Sequence, residues 1–167
     1  MMMRHNNRRF DKDSYTRNDK RAKDALIEYL VGNGYVIHQA VEDYGFDIKT
    51  VKDETVHLFE VEIKNQWGDN WNTSWEEIRI PERKRRLIDR WKKITTDDIL
   101  GLIETTFTFV VLNRSCKQGW FIGADTVDNS PVGTIQNSRW TNAPHLREPF
   151  FHIPLANAER RELKTDE

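Results

Sequence analysis

The chain has one cysteine, Cys116, in 167 residues. No internal disulfide can form, which suits a reducing compartment. No apolar run approaches the roughly 18 residues that read as a membrane span. The opening MMMRHNNRRF also lacks the apolar segment of a secretory signal. The expectation is an intracellular, cytoplasmic protein with no membrane partner. An excess of charge is missing too, because 26 Lys and Arg face 27 Asp and Glu for a net charge of −1. That excludes a binder basic over its whole surface but not local basic patches, since a ligand responds to the local field. His38, His57, His145 and His152 are scattered without metal-ligand spacing, which argues against zinc. No internal repeat is present. With 37% hydrophobic and 32% charged residues, the remainder describes a single domain of modest core and busy surface.

Residues 1–17 are polar and basic and read as a flexible arm, with residues 18–156 as the domain and 157–167 as a charged tail. From Asn18 or Asp19, Ala22, Ala25, Leu26, Tyr29 and Leu30 fall on one helical stripe that the glycines at 32 and 34 stop. Strands are expected over Tyr35–Ala40, Phe46–Val51 and through Leu58–Lys64, joined by short turns. A helix followed by three such strands implies an antiparallel meander with the helix on one face. Asn65 to Ile80 reads as a loop carrying Trp67, Trp71 and Trp75. Pro81 suits a helix start, and Glu82 to Lys93 reads as helical, with Leu87, Ile88 and Trp91 inward. Arg83, Lys84, Arg85, Arg86, Arg90, Lys92 and Lys93 occupy its other faces. Glu104–Leu112 and Trp120–Gly123 are further strands, the first joined to the meander by a right-handed parallel crossover. Residues 125–149 look irregular, and Pro149–Pro154 suits an edge strand.

Leu58-Phe59-Glu60-Val61-Glu62-Ile63-Lys64 is the anomaly. Alternation puts Phe59, Val61 and Ile63 on one face and Glu60, Glu62 and Lys64 on the other. Charges on a core strand need a partner or a metal. Glu-x-Lys occurs three times, at Glu62/Lys64, Glu82/Lys84 and Glu162/Lys164, but only the first lies in an apolar strand. Only it has an acid, Asp47, one hairpin earlier. Carboxylates brought together repel unless a cation separates them. Asp47 and Glu62, with the Ile63 carbonyl and the Glu60 side chain, form a partial oxygen cage suited to Mg²⁺ or Mn²⁺. Lys64 on the same face would orient the attacking water or stabilise phosphorane oxygens. That is the chemistry of phosphodiester hydrolysis. A metal-free strand in which Lys64, Glu62 and Asp47 balance one another is the plainer alternative, and a register built on Asp47-Ile48-Lys49 is a weaker one. The basic helix, through Arg83, Lys84 and Arg86, is placed to meet phosphates, or simply to be solvated. Trp67, Trp71 and Trp75, four apart, are candidates for base stacking, with packing or anchoring of the loop as the alternative.

Asp47 followed by Glu62-Ile63-Lys64, on an αβββαβ order over residues 19–123, resembles the PD-(D/E)xK nuclease superfamily. Its members include type II restriction endonucleases, archaeal Holliday-junction resolvases and phage recombination nucleases. The resemblance implies an α/β, restriction-endonuclease-like core with a mixed central sheet flanked by helices. It implies Asp47 and Glu62 as metal ligands and Lys64 as the residue assisting water. Phe46 stands where the family has its leading proline. Glu28 or Asp24 would be the helix acid many members carry, and Glu60 an extra ligand. The implied substrate is DNA rather than RNA, cut in a structure-directed way during recombination, repair or replication, with a homodimer as the assembly small members commonly form. A non-catalytic nucleic-acid-binding or assembly protein that keeps the fold is the competing class.

Overall fold

The computed structural model describes residues 12–39, 45–134 and 148–164. Residues 1–11 of the expected arm, the turn at 42–44 and residues 135–147 lie outside it. The first helix, α1 (Lys12–Gly32), buries Ala22, Leu26 and Leu30, with Ala25 and Tyr29 half-covered beside them. It begins at Lys12 rather than Asn18, because no proline or glycine interrupts the stretch before Gly32. Gly34 ends the turn at a φ of 88°, a conformation that favours glycine, and Tyr35 donates its N–H back to the Leu30 carbonyl at 3.0 Å.

Three antiparallel strands follow as expected: β1 (Val36–Gln39), β2 (Ile48–Lys52) and β3 (Thr55–Ile63). A short strand β4 (Glu77–Pro81) comes next, then a 3-10 turn (Glu82–Lys84), helix α2 (Arg85–Asp97), and strands β5 (Thr105–Leu112) and β6 (Gln118–Gly123). β5 lies parallel to β3 and antiparallel to β6, which makes the main sheet mixed. The chain closes with helix α3 (Ala124–Asp128), strands β7 (Val132–Thr134) and β8 (Pro149–Pro154), a 3-10 turn and β9 (Glu159–Glu162). The six-stranded sheet runs β1-β2-β3-β5-β6-β9, and a separate three-stranded sheet runs β4-β8-β7. The protein is α/β, with helices on both faces of a mixed central sheet.

Alternation along the strands divides the core. Ile48, Phe59, Val61, Val110, Leu112 and Phe121 pack with α1, while Leu58, Phe107, Phe109, Val111 and Ile122 pack with Leu87 and Ile88 of α2. Each such side chain contributes about 1.5–3 kcal/mol when fully buried. Glu60 and Glu62 share the α2 side with Leu58.

Several expectations need correction, among them the irregular stretch from 125, whose described part holds α3 and β7 because β7 pairs with β8. The loop from Asn65 ends in a strand, β4, and Pro81 closes that strand rather than opening α2. α2 itself runs on to Asp97. β8 is the middle strand of the small sheet instead of an edge, because Ile78 and Ile80 of β4 face Ile153 and Phe151 across it. The charged tail includes β9, whose Arg160 and Arg161 place their guanidinium groups over the rings of Trp67 and Phe121. No helix among the described residues is long and apolar enough to cross a membrane.

Candidate active site

β3 has neighbours on both sides for most of its length and loses one near its end. β2 accompanies it as far as Phe59, opposite Ile48, whereas β5 continues alongside to Ile63. On the β2 side, the N–H of Val61 therefore lacks a strand to bond to. Asp47 supplies the acceptor: its Oδ2 takes the Val61 N–H at 2.9 Å, and its own N–H donates to the Phe59 carbonyl at 3.1 Å. A buried amide left unpaired would cost about 1–3 kcal/mol. This requirement holds the Asp47 carboxylate at the rim of the sheet, only 3% exposed.

From that rim Asp47 meets both faces. Toward α1, the Lys23 ammonium lies 3.5 Å from Asp47 and 3.0 Å from Asp19. Toward α2, the Glu60 carboxyl faces that of Asp47, which favours its protonated form. Lys84, in the 3-10 turn ahead of α2, sits 3.6 Å from both Glu60 and Glu62. Acids and bases thus follow one path, Asp19, Lys23, Asp47, Glu60, Lys84, Glu62, alternating except where Asp47 meets Glu60. Burial, then the contact with Asp47, pushes the Glu60 carboxyl up to about 9 despite the opposing pull of Lys84. Two carboxyls facing one another need a proton between them, and Glu60 carries it at neutral pH. Burial works against the charge on Lys84, but Glu62, Glu60 and Asp47 outweigh it and raise the Lys84 ammonium above its ordinary value.

Lys64 leaves β3 with its N–H bonded to the Leu112 carbonyl at 2.8 Å. Its ammonium lies 3.4 Å from Gln66 Oε1 and 4.8 Å from the centre of the Trp75 ring. Burial and the nearby Arg79 charge lower the Lys64 pKa, and Glu62 opposes them. Glu62, Ile63 and Lys64 share a cavity of about 510 Å³ whose other walls include Trp71, Trp75 and Arg79. The tryptophan loop is fastened by buried Asn113, which donates to the Gly68 carbonyl at 2.9 Å, and by the Arg114 N–H on the Trp67 carbonyl at 2.7 Å.

The sequence-derived residues divide accordingly. Asp47, Glu60 and Glu62 come together around cations, with Lys64 and Ile63 on the cavity that Glu62 also faces. Glu28 is not part of this group; its exposed carboxylate pairs with Lys164 at 3.4 Å, and Asp24 pairs with Lys20. The helix residues that do reach the rim are Asp19 and Lys23, four apart on the flank of the buried stripe. Lys84, expected on phosphates, is drawn inward instead, while Arg83 pairs with Glu148 at 2.7 Å and Arg86 is exposed beside Gly45. Trp67 is fully buried, so no base can stack on it without opening the core. Trp71 and Trp75 hold the half-covered positions on the cavity. Among the described residues, no three His, Cys, Asp or Glu converge as a metal-ligand group. The acids are balanced by Lys23, Lys84 and a shared proton, and Lys64 lies outside that balance. The chain matches no protein-family model and no curated protein.

Proposed function

We propose that the protein is a Mg²⁺-dependent nuclease of the PD-(D/E)xK type, with a restriction-endonuclease-like core, that hydrolyses phosphodiester bonds in DNA. One observation carries the reading: at the end of β3, where β2 stops, Asp47 is tied to the strand through the Val61 N–H, and Glu60 and Glu62 meet over the Lys84 ammonium, with Lys64 on the cavity that Glu62 also lines. The donor set fits a hard divalent cation in kind, being carboxyl oxygens already turned toward a cation, the Lys84 ammonium. Asp47, Glu62 and Glu60, with the Ile63 carbonyl, would hold the ion. When bound it would lower the pKa of water and neutralise phosphate charge.

The chain's own groups supply the rest. Lys64 holds its proton less tightly than an ordinary lysine, so its Nζ is suited to orienting a water and passing a proton as the phosphorus–oxygen bond breaks. Asp47 fixes the end of β3 through Val61 and so positions Glu62. Arg83 and Arg86, on the same side of the sheet, grip backbone phosphates. Lys64→Ala and Asp47→Asn, assayed with Mg²⁺ or Mn²⁺ on mixed DNA substrates, are expected to lose about 10²–10⁴-fold in rate. Unchanged cleavage by both variants would reject the assignment.

A second reading is favoured by the lysines themselves. Lys23 and Lys84 already neutralise the acids, as a non-catalytic nucleic-acid-binding protein of the same fold would require. Ligand-linked stabilisation separates the two. In the nuclease, Mg²⁺ raises the melting temperature and Asp47→Asn abolishes the rise. In the binding protein, neither variant nor wild type responds. Parallel assays on RNA settle the nature of the strand.

A further inference from the structure

The cavity beside Glu62 is larger than bond hydrolysis alone requires. At about 510 Å³ it matches the pockets of about 300–1,000 Å³ that enclose small organic groups. Its walls combine four kinds of chemistry: the indoles of Trp71 and Trp75, the amides of Asn65 and Gln66, the cations Lys64 and Arg79, and the carboxylates of Glu62, Glu76 and Glu77, the last 3.6 Å from Arg79. The two indoles are fixed edge to face, their centres 5.1 Å apart and their planes at 78°, and Trp71 Nε1 donates to the Trp75 carbonyl at 3.0 Å. Trp75 lines the cavity half-covered, and the Lys64 ammonium occupies one face of its ring, 4.8 Å from the centre. An indole face stacks any base, side-chain amides bond base edges, and a cation meets the adjoining phosphate. A base inside a duplex cannot enter such a recess, because it must first leave its stack.

We propose that this cavity receives an unpaired nucleobase of the DNA strand to be cut, with Trp75 as the stacking surface and Arg79 on the neighbouring phosphate. The substrate class is then single-stranded or flap DNA rather than intact duplex. The identity of the strand rests on the nuclease reading, but base binding is measurable without hydrolysis. Trp75 and Lys64 touch, so a base entering against this ring displaces the ammonium and turns it toward the phosphate.

The test compares, in EDTA and at fixed salt, binding of a single-stranded oligodeoxynucleotide, an abasic strand of the same length, and a matched duplex. Stacking on one aromatic ring predicts that the wild type binds the base-bearing strand roughly 5- to 150-fold more tightly than the abasic one. Trp75→Ala should remove most of that preference and Trp75→Phe keep most of it. A 2-aminopurine in the strand should be quenched by the wild type and not by Trp75→Ala. Equal binding of abasic and base-bearing strands by the wild type overturns the proposal, and so does a preference that Trp75→Ala leaves intact. The abasic comparison needs no variant, so a misfolded Trp75→Ala does not rescue the idea. Cleavage with Mn²⁺ separates the two readings. Hydrolysis that depends on Lys64 but ignores the missing bases removes the pocket and keeps the nuclease. Base-dependent binding with no hydrolysis in Mg²⁺ or Mn²⁺ does the reverse.

Discussion

At the scale of single residues, Glu60 has the strongest pH signature. Its carboxyl gives up its proton near 9 in the folded chain, against an ordinary value of 4.5. Between those values the folded protein holds a proton that the unfolded chain has released. Stability attributable to Glu60 therefore falls as pH rises through that window, by at most about 1.4 kcal/mol per pH unit, and levels off above it. Glu60→Gln keeps a hydrogen-bond donor for Asp47 and removes the titration. Urea midpoints of wild type and variant, measured from pH 5 to 9, should diverge steadily in favour of the variant. Parallel curves would show that no proton is held there. Lys84 gives the complementary prediction. Lys84→Met removes the ammonium from between Glu60 and Glu62; because Glu60 is neutral and Glu62 is 35% exposed to water, the loss should stay below the roughly 3–5 kcal/mol of a fully buried pair broken from one side. If the same space admits a divalent ion, Mg²⁺ should raise the melting temperature of Lys84→Met more than that of the wild type. Equal responses in thermal melts would place any bound ion elsewhere.

At the scale of elements, apolar periodicity made α1, β3 and β5 legible, because burial on one face writes itself into alternation or a helical stripe. β9 leaves no such trace: Glu159-Arg160-Arg161-Glu162 is wholly charged, and what places it is pairing with β6 and the stacking of its arginine guanidinium groups on aromatic rings. Charge on that edge also suits a strand with no further neighbour. β4 was hidden for a different reason, since its partner β8 is 69 to 77 residues away and no local pattern announces the pairing. The site shows the same division. Asp47, Glu62 and Lys64 could be named from one hairpin, whereas Lys23, Asp19 and Lys84 reach it only through the packing of two helices. The β5–β6 hairpin offers a direct test of its fit. A Cβ at Gly119 would stand 2.8 Å from Cδ2 of buried Leu112, whereas one at Gly123 meets nothing within 4 Å. Gly119→Ala should therefore lose about 1–3 kcal/mol in denaturant unfolding, with Gly123→Ala close to neutral. Equal losses would mean that this hairpin is not packed as described.

At the scale of the whole molecule, charge is balanced in total but not in place. A net charge of −1 coexists with Arg83, Arg86 and Arg90 along the start of α2, two of which lie against Gly45, two residues from Asp47. A strand whose base sits in the Trp75 cavity and whose phosphate lies near Glu62 would run its neighbouring phosphates past this helix. Each phosphate neutralised on a single strand adds about 0.7 to the slope of log affinity against log salt. Arg83→Ala with Arg86→Ala should therefore flatten the slope for single-stranded DNA by about 1.4. The fold should be little affected, because Arg83 is 65% exposed and its surface pair with Glu148 is of a kind worth about 0–1 kcal/mol. The loss of affinity should be the same for base-bearing and abasic strands, since these arginines hold backbone, while the Trp75 preference survives in the double variant. An unchanged salt slope would leave the basic start of α2 as solvated surface and send the path of the strand to another side of the sheet.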